Sequence, residues 1–293
     1  MKKVSIVVPV YNQWDLVKRN IDALIKHDRD FIKEIIIVND QSPELNPYYF
    51  DTDLVQIISN EKNLGYTGTV NNGLKRAISE IIVLLDSDAY PIGPFIQKLV
   101  HLYSVDNLIG CIGFSTVDDK GNSTGNYQFE SSIIELVFGQ VFEAKLSIFR
   151  SWCKKVKFPN SCAVSFRKQC LDELNYFDEV LFPVLDADVD ICMRIYRSSW
   201  KLIFTQEIII SHKGGNSYKI NYKRVLLHHE SRWKLLKKYD KIKLLNLAKL
   251  SLKARVKAEL LILKILSISK TSLNLDDKII GRKKLLKQID LYK

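Results

Sequence analysis

The run Val83-Leu84-Leu85-Asp86-Ser87-Asp88-Ala89-Tyr90-Pro91 places two carboxylates one residue apart at the end of an apolar stretch. In an extended chain, residues i and i+2 point the same way, so Asp86 and Asp88 can converge on one point. Paired carboxylates at the carboxyl end of a strand suit a hard divalent cation, and such a cation can hold a diphosphate. A polar turn with no ligand has the same spelling.

Four further groups could do chemistry, each with a structural alternative. Asp40 follows the apolar run Ile35–Val38, where it can accept a hydrogen bond from a pyrimidine imide or simply form a turn. The stretch from Asn63 to Gly73, with Gly65 and Gly68, either lets backbone approach a phosphate-bearing ligand at a helix start or only supplies positive φ. Its spacing matches neither the dinucleotide fingerprint nor the P-loop. Asp186, Asp188 and Asp190 alternate just ahead of a helix, as partners of its dipole or as a general base for a hydroxyl nucleophile. His212 precedes Lys213-Gly214-Gly215-Asn216-Ser217; it is a structural imidazole or a metal ligand, and Lys213 and Ser217 can contact phosphate.

The elements that must position these residues alternate in type. Val4–Val8, Glu34–Val38, Leu54–Ser59 and Ile81–Leu85 read as strands, with helical spacing in Trp14–Lys26 and Tyr66–Ser79. Such alternation predicts an α/β fold with a mostly parallel, doubly wound sheet, which binds ligands beyond the carboxyl ends of its strands. Pro9, Tyr11, Asn12, Asp40, Asp86 and Asp88 fall there. Farther on, Leu108–Thr116, Ala163–Phe166, Lys201–Phe204 and Ile208–Ile210 read as strands and Asp188–Ser199 as a helix.

Composition narrows the class. The chain has 293 residues, 46% hydrophobic and 26% charged, which is globular. Five cysteines without C-x-x-C spacing suggest reduced thiols and a cytoplasmic setting. The apolar run after Met1-Lys2-Lys3 reaches Pro9 at once, a strand rather than a signal peptide, and no stretch is long enough to span a bilayer. From Lys219 onward, 21 Lys and Arg face six Asp and Glu, a balance of +15, whereas the residues before carry 23 against 27. This divides the chain into 1–218 and a basic, helical 219–293 whose last 75 residues hold no Pro and one Gly, Gly281. Leu- and Ile-rich Ile242–Ile268, with interspersed Lys243, Lys249, Lys253, Arg255, Lys257 and Lys264, fits an anionic membrane surface, a packed appendage or a homo-oligomer contact. No nucleic-acid recognition motif accompanies the charge, and no nucleic-acid partner is expected.

The ordered series Ser5-Ile6-Val7-Val8-Pro9-Val10-Tyr11-Asn12, Ile37-Val38-Asn39-Asp40-Gln41-Ser42, Asn63-x-Gly65 through Asn72-Gly73, and Leu84-Leu85-Asp86-x-Asp88-x-x-Pro91 resembles the family 2 glycosyltransferases of GT-A fold. Phe177-Asp178-Glu179, Asp188-Val189-Asp190-Ile191-Cys192-Met193-Arg194 and His212–Ser217 look like the rhamnosyltransferase-type branch. The resemblance spans about residues 4–217.

It implies a GT-A catalytic domain over 1–218, nucleotide-sugar-binding over 1–91 and acceptor-binding over 92–218. It implies an inverting, metal-dependent transfer of a hexosyl or rhamnosyl unit from a UDP- or dTDP-sugar to a glycan acceptor, which can be lipid-linked, in bacterial surface polysaccharide synthesis. The cofactor would be Mn²⁺ or Mg²⁺, and the setting the cytoplasm or the inner face of the cell membrane. Pro9, Tyr11 and Asp40 would hold base and ribose, with Asn12, Asn63, Gly65, Asn72, Asp86 and Ser87 on the donor side. Asp88 would ligate the metal, with His212 a second ligand and Asp86 in support. Asp188 would be the base, and Asp190, Arg194, Lys213 and Ser217 would contact acceptor or phosphate. Where the family has Glu before that base, this chain has Ala187; a different register puts Asp186 in the Glu position and makes it the rival base. Ala187 also leaves open a degenerate module that binds sugar nucleotide without transfer.

Overall fold

The computed structural model describes residues 2–50, 53–139, 156–212, 221–269 and 273–293. Lys213, Ser217 and Cys153 lie outside them. Strands β1 (Val4–Val10), β2 (Ile32–Asn39) and β4 (Ile81–Leu85) are almost wholly buried, as continuous Val/Ile/Leu runs require of strands covered on both faces. With β3 (Val55–Ser59), β5 (Tyr90–Pro91), β6 (Ile109–Val117), β9 (Ala163–Arg167) and β10 (Lys201–Ser211) they form one sheet in the order β3-β2-β1-β4-β9-β6-β10-β5. Short β7 (Tyr127–Gln128) and β8 (Phe158–Pro159) pair separately. Helices α1 (Trp14–Asp28), α2 (Gly65–Arg76) and α3 (Ile96–Val105) supply crossovers, and α5 (Lys168–Glu173) and α6 (Ala187–Tyr196) flank the last strands.

Strands β3, β2, β1 and β4 are mutually parallel, and β10 is parallel to β6. Strand β9 runs antiparallel to both neighbours, Ala163 pairing with Leu85. Its first residue therefore lies where β4 ends, so the chain just before it reaches the ligand-binding edge. Several boundaries differ from the sequence expectation, among them the end of the helix read over Asp188–Ser199, which stops at Tyr196, and two have a plain cause. Helix α2 stops at Arg76, not Ser79, because the Ile78 N–H donates to Glu34 (2.9 Å) and the Ser79 N–H to the Ser5 hydroxyl (3.1 Å). Lys201–Phe204 and Ile208–Ile210 are one strand with a register shift between Thr205 and Ile209.

The chain divides into two compact units, Met1–Glu130 with Val156–Asn216 and Ser131–Lys155 with Ser217–Lys293. The second is helical: α4 (Ile133–Phe138), α7 (Tyr222–Lys238), α8 (Leu245–Ser269) and α9 (Leu273–Leu291). Asn221 caps α7, its side chain accepting from the Arg224 N–H at 3.1 Å. Leu136 joins Trp233, Leu236, Leu252, Val256, Leu285 and Ile289 in its core, and Trp233 stacks on Tyr292. No helix among the described residues is long and apolar enough to cross a membrane.

Candidate active site

Strand β4 ends at Leu85, so Asp86 and Asp88 converge through a turn and not through strand alternation. The Ala89 N–H donates to the Asp86 carbonyl (3.0 Å), the Asp86 N–H donates to the Cys162 carbonyl (3.0 Å), and the Asn20 amide donates to the Asp86 carbonyl (3.1 Å). The Ser87 hydroxyl is buried and donates to Gln13 at 2.6 Å, a partner that turns it away from a free donor role.

His212 arrives at the end of β10, its N–H donating to the Val117 carbonyl at 2.8 Å. Its Nε2 lies 3.4 Å from an Asp88 oxygen. Ligand atoms of Asp86, Asp88 and His212 all fall within 4.8 Å of one another. Burial pushes Asp86 up to about 6; a hydrogen bond from Tyr66 opposes this, the Asp88 charge adds to it, and His212 opposes it. Burial disfavours charge on His212, but its hydrogen bond to Asp88 and the charges of Asp88 and Asp86 outweigh that and raise it above 6.5. Two crowded carboxylates and an imidazole are the oxygen and nitrogen donors a divalent cation takes, and a cation would relieve their repulsion. The residues present therefore fit a metal.

Tyr66, on the first turn of α2, donates to Asp86 (2.7 Å), and its oxygen lies 2.9 Å from the Ser161 hydroxyl. Asn160, next to Ser161, accepts from Gln128 at 3.0 Å, and the same Gln128 amide lies 3.3 Å from an Asp188 oxygen. The buried Cys162 thiol is pushed well up by burial and then by the charges of Asp86, Asp188 and Asp88. Residues 160–162 thus join the Asp86–Asp88 turn to Asp188. Asn160, Ser161 and Cys162 were not legible as candidates, because the antiparallel insertion of β9 brings them to this edge, and Gln128 comes in on β7 through its pairing with β8; the hydroxyl of Tyr66 had no local signal of its aim.

The three alternating acids have different environments. Asp190 is fully buried and pairs with Arg194 at 2.8 Å, while Arg194 also donates to the carbonyls of Leu174 and, at 2.7 Å, Tyr176. Asp190 and Arg194, expected to contact acceptor or phosphate, here brace the turn after α5. Asp186 is buried with φ +63°, in the left-handed region. Asp188 is partly open on the first turn of α6 and also accepts from the Val189 N–H at 2.8 Å.

On the other flank, Pro9 is buried and Tyr11 is 42% exposed at the end of β1. Asn12 ties down a loop: its N–H donates to Ser42 and its side chain accepts from the Glu44 N–H. Asp40 is only 5% exposed, and its carboxylate accepts from the Leu64 N–H (2.7 Å), the Gly65 N–H (3.0 Å) and the Asn60 amide (2.9 Å). Asn63 donates to the Asp40 carbonyl and accepts from Gly65, and Asn72 donates to Asn60. Gly65 has φ +74°, and a Cβ there would sit 3.0 Å from the Pro183 carbonyl, so this turn needs glycine. Asp40, Asn63, Gly65 and Asn72 form one network that shapes the ends of β2 and β3.

Residues 5–174 match the model of Glycosyl transferase family 2. The chain belongs to that family. Among its relatives, the poly(ribitol-phosphate) beta-N-acetylglucosaminyltransferase TarP of Staphylococcus aureus is 28% identical over 59% of this chain and 56% of its own length. The GalNAc(5)-diNAcBac-PP-undecaprenol beta-1,3-glucosyltransferase of Campylobacter jejuni is 23% identical over 75% of this chain and 71% of its own. This family 2 chain thus spans about half the length of the staphylococcal relative. A mannosyltransferase of Pyrobaculum calidifontis, solved with GDP-Man and Mn²⁺, superposes with a TM-score of 0.59 at 14% identity, covering 99% of this chain and 86% of that one. The fold is GT-A.

Proposed function

We propose that this chain is an inverting glycosyltransferase that moves a hexosyl or rhamnosyl unit from a UDP- or dTDP-sugar to a hydroxyl of a glycan acceptor, with Asp188 as base. The observation that carries this reading is the tie, through Asn160, Ser161 and Cys162, between the Asp86–Asp88–His212 cluster and Asp188. A diphosphate site and a proton acceptor are then held by one short segment.

Bound Mn²⁺ or Mg²⁺, held by Asp88 and His212 with Asp86 beside them, would neutralise charge on the departing diphosphate. Pro9 and Tyr11 at the end of β1 flank the base and ribose, on a floor that Asp40, Asn63, Gly65 and Asn72 keep rigid. Asp188 accepts the acceptor proton as the new bond forms on the face opposite the leaving group, a contribution of about 10²–10⁴ in rate. The Val189 N–H and Gln128 amide aim its oxygens. The relatives named above act on poly(ribitol phosphate) and on GalNAc(5)-diNAcBac-PP-undecaprenol, so we place the acceptor among surface glycans, lipid-linked or polymeric.

Asp188→Asn is expected to abolish transfer while Mn²⁺-dependent UDP binding survives. Wild-type turnover in that variant would move the role to Asp186. If the native chain neither binds nor hydrolyses any UDP- or dTDP-sugar with Mn²⁺ or Mg²⁺, the reading as a whole fails. Ala187, buried at the start of α6, favours a second reading, a module that binds sugar nucleotide without transfer. Metal-dependent hydrolysis without acceptor would exclude it.

A further inference from the structure

Helix α8 has two apolar faces. One, with Ala248, Leu252 and Val256, is buried in the core of the helical unit. At about 100° per residue, Leu247, Leu250, Leu261 and Ile265 gather on the opposite side, with Ile262 on the flank. There Leu247 is 56%, Leu250 65%, Leu261 61%, Ile262 56% and Ile265 58% exposed. The small, exposed Ala254 and Ala258 continue the stripe between them. It runs about 27 Å along the helix at about 1.5 Å per residue.

The charge beside the stripe has one sign. Exposed Lys257 and Lys264 border it. The one acidic residue of α8, Glu259, faces away from it and pairs with Arg255 (2.7 Å) and Arg282 (2.9 Å). Aliphatic side chains bordered by lysines fit neither a second copy of a region carrying +15, which would bring like charges together, nor a nucleic acid, which would want aromatic stacking.

We propose that this face of α8 lies on an anionic lipid bilayer, its aliphatic stripe sunk to the acyl boundary and Lys257 and Lys264 among the headgroups. The helix lies in the surface and does not cross it. This goes beyond glycosyl transfer and does not depend on it, since lipid binding is read without any donor or acceptor.

The test is vesicle co-sedimentation of the full chain with phosphatidylcholine alone and with phosphatidylcholine containing phosphatidylglycerol, at low and high salt. The native chain is expected to bind the anionic vesicles, less so in high salt. Leu261→Glu with Ile265→Glu is expected to weaken binding by about tenfold or more, with an unchanged melting curve because both positions are exposed. Lys257→Glu with Lys264→Glu, which leaves the stripe intact, is expected to weaken binding to the anionic vesicles alone, by about tenfold. Absence of binding by the native chain, equal binding of it and both variants, or a native dimer that the Leu261→Glu, Ile265→Glu pair dissociates in the absence of lipid would each overturn the proposal.

Discussion

Replacing Asp40 by Asn separates two tasks for that carboxylate. A residue that contacts the nucleobase could lose its charge with little effect on folding. A brace could not. One Asp40 oxygen accepts from the Leu64 N–H and the Asn60 amide, the other from the Gly65 N–H, and the side chain is 5% exposed. In Asp40→Asn, an oxygen can keep the first pair, but an NH₂ group then faces the Gly65 N–H, donor against donor. Gly65 retains Asn63 as an acceptor at 3.1 Å, which softens the loss. Hydrogen bonds to a charged group contribute about 1.5–3 kcal/mol each, so one lost bond and two weakened ones cost about 2–3 kcal/mol. For a unit of this size, that lowers the melting temperature by roughly 4–12 °C. Thermal unfolding and a UDP titration in Mn²⁺ should be run on the same preparation. Melting temperature and affinity are expected to fall together, and Asp40→Ala is expected to fall further in both. An Asn variant that melts like the native chain yet loses UDP affinity would refute the bracing argument and make Asp40 a direct contact with the base.

Tyr66→Phe deletes the hydroxyl that aims Asp86 while keeping the ring, so Mn²⁺ affinity by titration is expected to fall about 10–100-fold, as when a partner of a metal ligand is removed; unchanged affinity would place Asp86 outside the metal's shell. Asp190→Ala leaves Arg194 charged beside a buried hole, and urea unfolding is expected to show a loss of about 3–5 kcal/mol; a loss below about 1 kcal/mol would mean the pair is not buried in solution. His229 is lowered to about 4, first by burial, against a hydrogen bond to the Val225 carbonyl and with help from the His228 charge. Its folded state binds fewer protons than the unfolded chain, so its contribution is complete above about pH 6.5 and is lost as pH falls toward about 4, by about 3 kcal/mol. Unfolding of His229→Gln between those pH values is expected to be flatter than that of the native chain; parallel curves would contradict this.

What the sequence disclosed and what it hid divide along local and non-local lines. The runs Ile6–Val10 and Ile81–Leu85 are apolar throughout, and a strand with both faces covered can have little else, so the sheet's centre and the Asp86–Asp88 turn were readable. The end of α2 was not, because Ser5 and Glu34, more than forty residues away, capture the backbone N–H groups of Ile78 and Ser79. The helical unit was read from charge and Leu/Ile content after Lys219, yet it also holds α4. There Glu135 meets Arg232 at 3.3 Å and Leu136 enters the core, pairings that no window of sequence contains.

The proposed base rests on geometry that separates similar letters. In the sequence, Asp186, Asp188 and Asp190 differ only by position. Asp190 cannot reach an acceptor, since it is wholly buried and its partner Arg194 is anchored to two carbonyls of the preceding turn. Asp186 takes the left-handed backbone that starts α6, and its carbonyl accepts from the Asp190 N–H at 2.9 Å, so its backbone sets where the helix begins. That start leaves Asp188 on the first helical turn, partly open, within reach of Gln128 and near the same thiol that senses Asp86 and Asp88. A strained Asp186 and a locked Asp190 hold Asp188 in place from both sides. On the proposed reading, Ala187 in place of the usual Glu bears on what else surrounds the acceptor, since Asp188 itself remains partly open on the first turn.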